Sequence, residues 1–133
     1  MKMPWTGNDN YATPDYLYRA LDEEFGFNFD PCPLNDAPMI DGLALPWQGK
    51  RAFINPPWSN IGPWVAKALK RDAEIVVLLV PARTDTGWFH ALKDNGAELR
   101  FFRKRVVFND QNGKPKERPT DGALVAVIRK ARP

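Results

Sequence analysis

The chain has 133 residues, 44% of them hydrophobic and 26% charged, with a formal net charge of +3. That balance fits one globular domain with one core and excludes a repeat-built or low-complexity chain. A single cysteine excludes an internal disulfide, and no apolar run approaches the roughly 18 residues of a membrane helix.

The mild positive charge permits nucleic-acid binding without demanding it. The lone Cys32 and an N-terminus without a signal pattern predict a cytoplasmic protein. Thirteen prolines, about twice average usage, predict stiff loops and short elements.

Residues 1–12 are polar and aromatic without a period. Thr13-Pro14-Asp15 then opens a helix, with Thr13 as cap and Pro14 in the first turn. Tyr16, Leu17, Ala20, Leu21 and Phe25 fall on one helical face, and Gly26 stops the helix. Phe27–Asp30 reads as a short strand ending in an acid, broken by Pro31-Cys32-Pro33. Residues 34–49 read as irregular loop, with a turn of helix near Leu43.

Arg51–Asn55 is the next strand, and it meets Pro56-Pro57-Trp58. Proline has no N–H to give a sheet, so the strand stops at Asn55. The residue before a proline is held extended. The two prolines thus hold Asn55, two carbonyls and Trp58 in a stiff loop at a strand's C-terminal end, where open α/β sheets bind ligands.

Ile61–Asp72 reads as a helix with Ile61, Trp64, Val65, Ala68 and Leu69 inward and Lys67, Lys70 and Arg71 outward. Glu74–Val80 is a continuous apolar strand of the kind buried on both faces, ended by Pro81. Thr86–Asn95 is a helix that Asp85 or Thr84 would cap, closed by Gly96. Glu98–Phe108 reads as a long strand, Asn109–Gly122 as a polar loop and Ala123–Arg129 as the last strand. Alternating strands and helices predict a compact, Rossmann-like α/β domain with a mostly parallel sheet and a C-terminal antiparallel hairpin.

The corner at Asn55 suits one chemistry. The exocyclic amine of adenine is a poor nucleophile because its lone pair is delocalised into the ring. The Asn55 Oδ1 and the Pro56 carbonyl can accept its two N–H bonds and turn the lone pair out of plane, while the Trp58 ring stacks on the base. Such catalysis is positioning and hydrogen bonding, without a covalent intermediate. A strand that merely ends in a proline turn is the other reading of a motif this short.

In order, the segments resemble the phage-type adenine-N6 DNA methyltransferase family, within the S-adenosylmethionine-dependent methyltransferases. Tyr11-Ala12-Thr13-Pro14 with Leu17 resembles its N-terminal cofactor segment, and Phe29-Asp30-Pro31-Cys32 its strand-end acid. Leu45-Pro46-Trp47-Gln48-Gly49 leads into Asn55-Pro56-Pro57-Trp58, the catalytic signature. The run Leu79–Phe89 and Arg105-Val106-Val107-Phe108 complete the set, which covers nearly the whole chain.

The resemblance implies S-adenosylmethionine as cofactor, held by Tyr11, Thr13, Pro14, Asp30, Pro31 and Asn55. It implies DNA as partner, methylated in the host cytoplasm if the protein is phage-encoded. The usual glycine-rich loop after the first strand is replaced by Pro31-Cys32-Pro33-Leu34-Asn35, and a single domain without a separate target-recognition domain is expected. About 20 residues lie between Pro33 and Ile54, too few for a full pair of strands and helices, so the sheet is expected to be reduced.

Asp30 is either a cofactor contact or a strand-ending turn residue. Asp41 is a weaker candidate for ribose hydroxyls. Arg83 could touch phosphate or cofactor, or merely precede a helix. Arg100, Arg103, Lys104 and Arg105, with Lys114 and Lys116 of the polar loop, could neutralise DNA phosphates, or form a solvated face. One His and one Cys make no metal site. No Gly-x-Ser-x-Gly elbow or phosphate-binding glycine loop is present. Two rival functions stay open: methyl transfer to a protein glutamine or RNA base, and a non-catalytic DNA-binding module on a decayed fold. A chain this small could grip a duplex as a homodimer, though no residue specifies one.

Overall fold

The computed structural model describes residues 12–33, 41–108 and 122–131. Tyr11, Lys114 and Lys116, and the polar loop at 109–121, lie outside the described residues.

Helix α1 spans Asp15–Phe25. Pro14, not Thr13, is its N-cap residue, and no side chain caps it. Gly26 ends it in the left-handed region at φ 63°, where a Cβ is unfavourable. Leu17, Leu21 and Phe25 form its buried stripe. A 3₁₀ turn at Gly42–Ala44 follows, then strand β1 at Arg51–Ile54. Helix α2 is Gly62–Ala68, β2 is Ile75–Pro81, α3 is Gly87–Asp94, β3 is Glu98–Phe101 and β4 is Ala123–Arg129.

The four strands lie in the order β1-β2-β4-β3. β1 and β2 are parallel, with Phe53 opposite Val77. β4 runs antiparallel to β2, with Val127 opposite Val77, and antiparallel to β3, with Val127 opposite Glu98. The sheet is therefore mixed and mostly antiparallel, which corrects the expected mostly parallel sheet. The alternation rule gave the β1–β2 pair correctly. The expected antiparallel pair of the last two strands is present as β3–β4; what was missed is that β4 lies between β2 and β3 instead of at the edge, so both of its ladders are antiparallel.

Other elements are shorter than expected, each for a local reason. Phe27–Asp30 contributes one isolated bridge, Phe29 to Ala52, before Pro31 breaks the run. β3 stops at Phe101 because its partner β4 begins at Ala123, one residue beyond Leu124, which pairs with Phe101. α2 ends early, and Arg71 stands at φ 60°, outside any right-handed helix. β2 is not shortened but displaced by one residue: it includes Pro81, opposite Ala123, where the proline was expected to end the strand at Val80.

The register puts Phe53, Val77, Val127 and Glu98 in one row, and α1 covers that face. Tyr18 meets Phe53 edge-on at 5.2 Å. Arg100, two positions from Glu98 and so on the same face, bonds Glu24 of α1 through both guanidinium nitrogens at 2.7 Å. β2 is buried along its whole length and β4 up to Ile128, so the opposite face is covered as well. α2 and α3 pack against each other.

Candidate active site

Because β1 and β2 are parallel, their C-terminal ends share one edge of the sheet. Asn55 follows β1 there, and Ala82-Arg83 follow β2. The bridge from Phe29 to Ala52 is parallel too, so Asp30 and Pro31 emerge at the same edge. β4 starts at this edge, since Pro81 pairs with Ala123. Four chain crossings thus bring together residues that are far apart in sequence.

Asn55 is half-buried, and its Nδ2 donates to Thr13 Oγ1 at 3.2 Å. Thr13 therefore serves as a side-chain partner of Asn55 rather than as a helix cap. The bond ties the end of the Asn55 side chain to the entry of α1. Pro14, buried beside it, starts the first turn with its carbonyl accepting from Leu17 and Tyr18 at 3.1 Å each.

The two proline carbonyls differ. The Pro57 carbonyl accepts from the Asn60 N–H at 2.9 Å, closing a tight turn. Among the described residues nothing donates to the Pro56 carbonyl. Pro56 itself is buried, and an unpaired carbonyl next to a ligand edge is an acceptor in waiting.

Trp58 is only 8% exposed. Phe108 meets it edge-on with ring centroids 5.1 Å apart. The Arg83 guanidinium lies over the ring at 5.9 Å and donates through Nη1 to the Trp58 carbonyl at 2.9 Å. The indole is a wall of the site, and a planar ligand reaches its face only where these neighbours give way.

Asp30 accepts the Cys32 N–H at 2.9 Å. Burial raises its carboxyl above the ordinary value, and the bond from Cys32 works against that rise. The residue as a whole is exposed. Pro31 is buried, its carbonyl backed directly against Gly42.

The loop that stands where a longer sheet was not expected is closely tied. Asp41 caps the 3₁₀ turn by accepting the Leu43 N–H at 3.0 Å. The Trp47 indole donates to the Gly42 carbonyl at 3.0 Å. Lys67, expected to face solvent, turns inward to the Leu43 and Leu45 carbonyls at 2.5 and 2.8 Å. Sequence reasoning missed this role because the acceptors are backbone atoms more than 20 positions away.

The basic residues divide. Arg100 is engaged by Glu24 and Glu98 within the fold, and its charge is held there. Arg103, Lys104 and Arg105 are exposed. The segment at 109–121 starts from Phe108, which touches Trp58, and ends at Gly122, whose carbonyl accepts the Ala82 N–H at 2.8 Å. Both of its described ends are anchored at the site. Thr86, rather than Asp85 or Thr84, caps α3 through its Oγ1 to the Phe89 N–H at 3.3 Å. Among the described residues no group of three or more His, Cys, Asp or Glu could hold a metal, and no helix is long and apolar enough to cross a membrane.

The DNA N-6-adenine-methyltransferase of Haemophilus phage HP1 (strain HP1c1) is 27% identical over 129 residues, covering 80% of this chain and 75% of that protein. No solved structure matches the chain significantly. The model of the DNA N-6-adenine-methyltransferase (Dam) family matches residues 2–133, and the chain belongs to that family.

Proposed function

We propose that the protein transfers a methyl group from S-adenosylmethionine to the N6 amine of adenine in DNA. Family membership supports the reaction, and one observation carries the residue assignment. Asn55, oriented by Thr13, stands next to a Pro56 carbonyl to which no described residue donates, at the ligand-binding edge of the sheet.

In this reading Asn55 Oδ1 and the Pro56 carbonyl accept the two N–H bonds of the amine. Both acceptors favour positive charge developing on N6. Pro57 keeps the corner stiff, its carbonyl spent on the turn to Asn60. The N6 nitrogen bonds the methyl carbon as the carbon–sulfur bond breaks, and the amine then loses its proton to water. The amine cannot reach this corner while stacked, so the base is flipped out of the duplex. Trp58 stacks on the flipped ring while Arg83 holds the Trp58 carbonyl.

The residues at this edge fit a cationic methyl donor. S-adenosylmethionine supplies an electrophilic methyl group on a positively charged sulfur. The exposed Asp30 carboxylate offers a counter-charge or a partner for hydroxyls, Thr13 and Pro14 form the wall next to Asn55, and Pro31 fixes the turn after Asp30. Tyr11 joins them in this proposal, by the family resemblance of its segment. Arg103, Lys104 and Arg105, with Lys114 and Lys116, would meet DNA phosphates, and the segment at 109–121 would contact the target.

We further read residues 1–133 as one methyltransferase domain on a reduced Rossmann-like sheet. The deciding experiment incubates the protein with S-adenosylmethionine and DNA, RNA and protein in parallel, followed by nucleoside and peptide mass spectrometry. N6-methyladenine in DNA is expected, and its loss in Asn55→Ala with donor binding retained. Methylation of RNA or of glutamine instead, or an active Asn55→Ala, overturns the reading.

A further inference from the structure

We propose that Arg83 is a positioning residue for the Asn-Pro-Pro-Trp corner, not a DNA-phosphate ligand. The inference rests on the reading above for its kinetic arm and on geometry alone for its spectroscopic one.

Arg83 follows β2, and the corner follows β1; the two sites are 25 positions apart. Within the corner, the Pro57 carbonyl closes its turn onto Asn60, but the Trp58 carbonyl has no such local partner. Arg83 supplies one from beyond the neighbouring strand, through Nη1 at 2.9 Å, while its guanidinium carbon lies over the Trp58 ring, 5.9 Å from the centroid. One side chain thus holds both the backbone and the ring of Trp58. Phe108 meets the same ring edge-on at 5.1 Å. Trp58 is two residues from Pro56, so holding Trp58 holds the carbonyl proposed to receive the amine.

A planar fork is needed for this. Only a guanidinium can donate in its plane to a carbonyl and present a flat, weakly hydrated face to an aromatic ring. A phosphate contact has no such requirement, because lysine serves it as a point charge.

The test compares Arg83→Lys and Arg83→Ala with the unaltered protein. Circular dichroism and thermal unfolding identify folded samples. In both variants kcat falls about tenfold or more, the worth of a hydrogen bond from a charged group, while KM for DNA changes less than about threefold. Lysine does not rescue. The salt dependence of DNA binding keeps its slope. In parallel, the Trp58 indole resonance, assigned by its loss in Trp58→Phe, shifts in both variants.

The proposal is overturned if Arg83→Lys restores kcat, or if KM for DNA rises with kcat kept and the salt slope drops by about 1. An unmoved Trp58 resonance in folded Arg83→Ala also overturns it. If the unaltered protein methylates nothing, the methyltransferase reading fails, and the resonance alone decides whether Arg83 holds the corner.

Discussion

Thr13 and Asn55 are 42 positions apart and joined by a 3.2 Å hydrogen bond between side chains. The bond links the entry to α1 with the exit from β1. It gives Asn55 a fixed orientation before any substrate arrives, which is the form of preorganisation that catalysis by positioning needs. Thr13→Val keeps the shape and removes the oxygen. We expect kcat to fall about threefold to tenfold, matching a net hydrogen bond of about 1 kcal/mol, with the fold intact. Thr13→Ser should retain most activity. Steady-state methyl transfer with a fixed DNA substrate checks both.

Trp58 needs a more careful substitution than its motif suggests. At 8% exposure it is part of the core as well as of the site. Trp58→Ala should destabilise the protein by about 3–5 kcal/mol, so its lost activity would say nothing about stacking. Trp58→Phe keeps an aromatic face and the edge contact to Phe108. It should stay folded and keep measurable turnover, with weaker capture of an extruded base. Fluorescence of 2-aminopurine at the target position reports that capture, and equal signals with Trp58→Phe and unaltered protein would contradict stacking.

Local chemistry was legible in the sequence wherever one residue settles the backbone. Pro56 ended β1, Gly26 took the left-handed turn after α1, and the run at Ile75–Val80 is buried throughout. What was hidden is long-range. Nothing in the order of segments says that β4 slides between β2 and β3, because both an edge and an internal position suit an apolar strand. Thr13 looked like a helix cap because Ser and Thr favour that position, and Lys67 like a surface residue because charged side chains usually are. Their partners, Asn55 and the Leu43 and Leu45 carbonyls, come into reach only in the fold.

Gly42 is a position where any side chain meets backbone. A Cβ there would lie 1.7 Å from the Pro31 carbonyl oxygen and 2.6 Å from its carbon. Neither atom can rotate away. Gly42→Ala must therefore separate the 3₁₀ turn from Pro31, and with it the Trp47 bond to the Gly42 carbonyl. We expect a loss of about 1–3 kcal/mol from overpacking. Because Pro31 follows Asp30, methyl-donor affinity should fall with stability. Denaturant unfolding and calorimetry with S-adenosylmethionine measure the two effects separately. Gly62→Ala is the control, since nothing lies within 4 Å of a Cβ there.

The pH dependence of stability follows from the network that ties α1 to the sheet. Glu24 lies below its ordinary value of 4.5, chiefly through its hydrogen bond from Arg100. Glu98 lies below 4.5 too, first through Arg129 and then through Arg100. A carboxylate with a lowered folded pKa stabilises the fold above its unfolded value, and that contribution disappears as pH falls through the folded value. Asp30, raised mainly by burial, has the opposite sign: it favours the folded state on protonation. Glu24 and Glu98 tie α1, β3 and β4 together, whereas Asp30 bonds the Cys32 N–H of its own turn, so the melting temperature is expected to fall as pH drops below about 4.5. The pairs are exposed, so the fall should be small and should shrink in high salt. Arg100→Gln removes the partner of Glu24 and one partner of Glu98. Its melting temperature should approach that of the unaltered protein at low pH and lie below it at neutral pH. Parallel curves for the two proteins across that range would show that the network does not couple to folding.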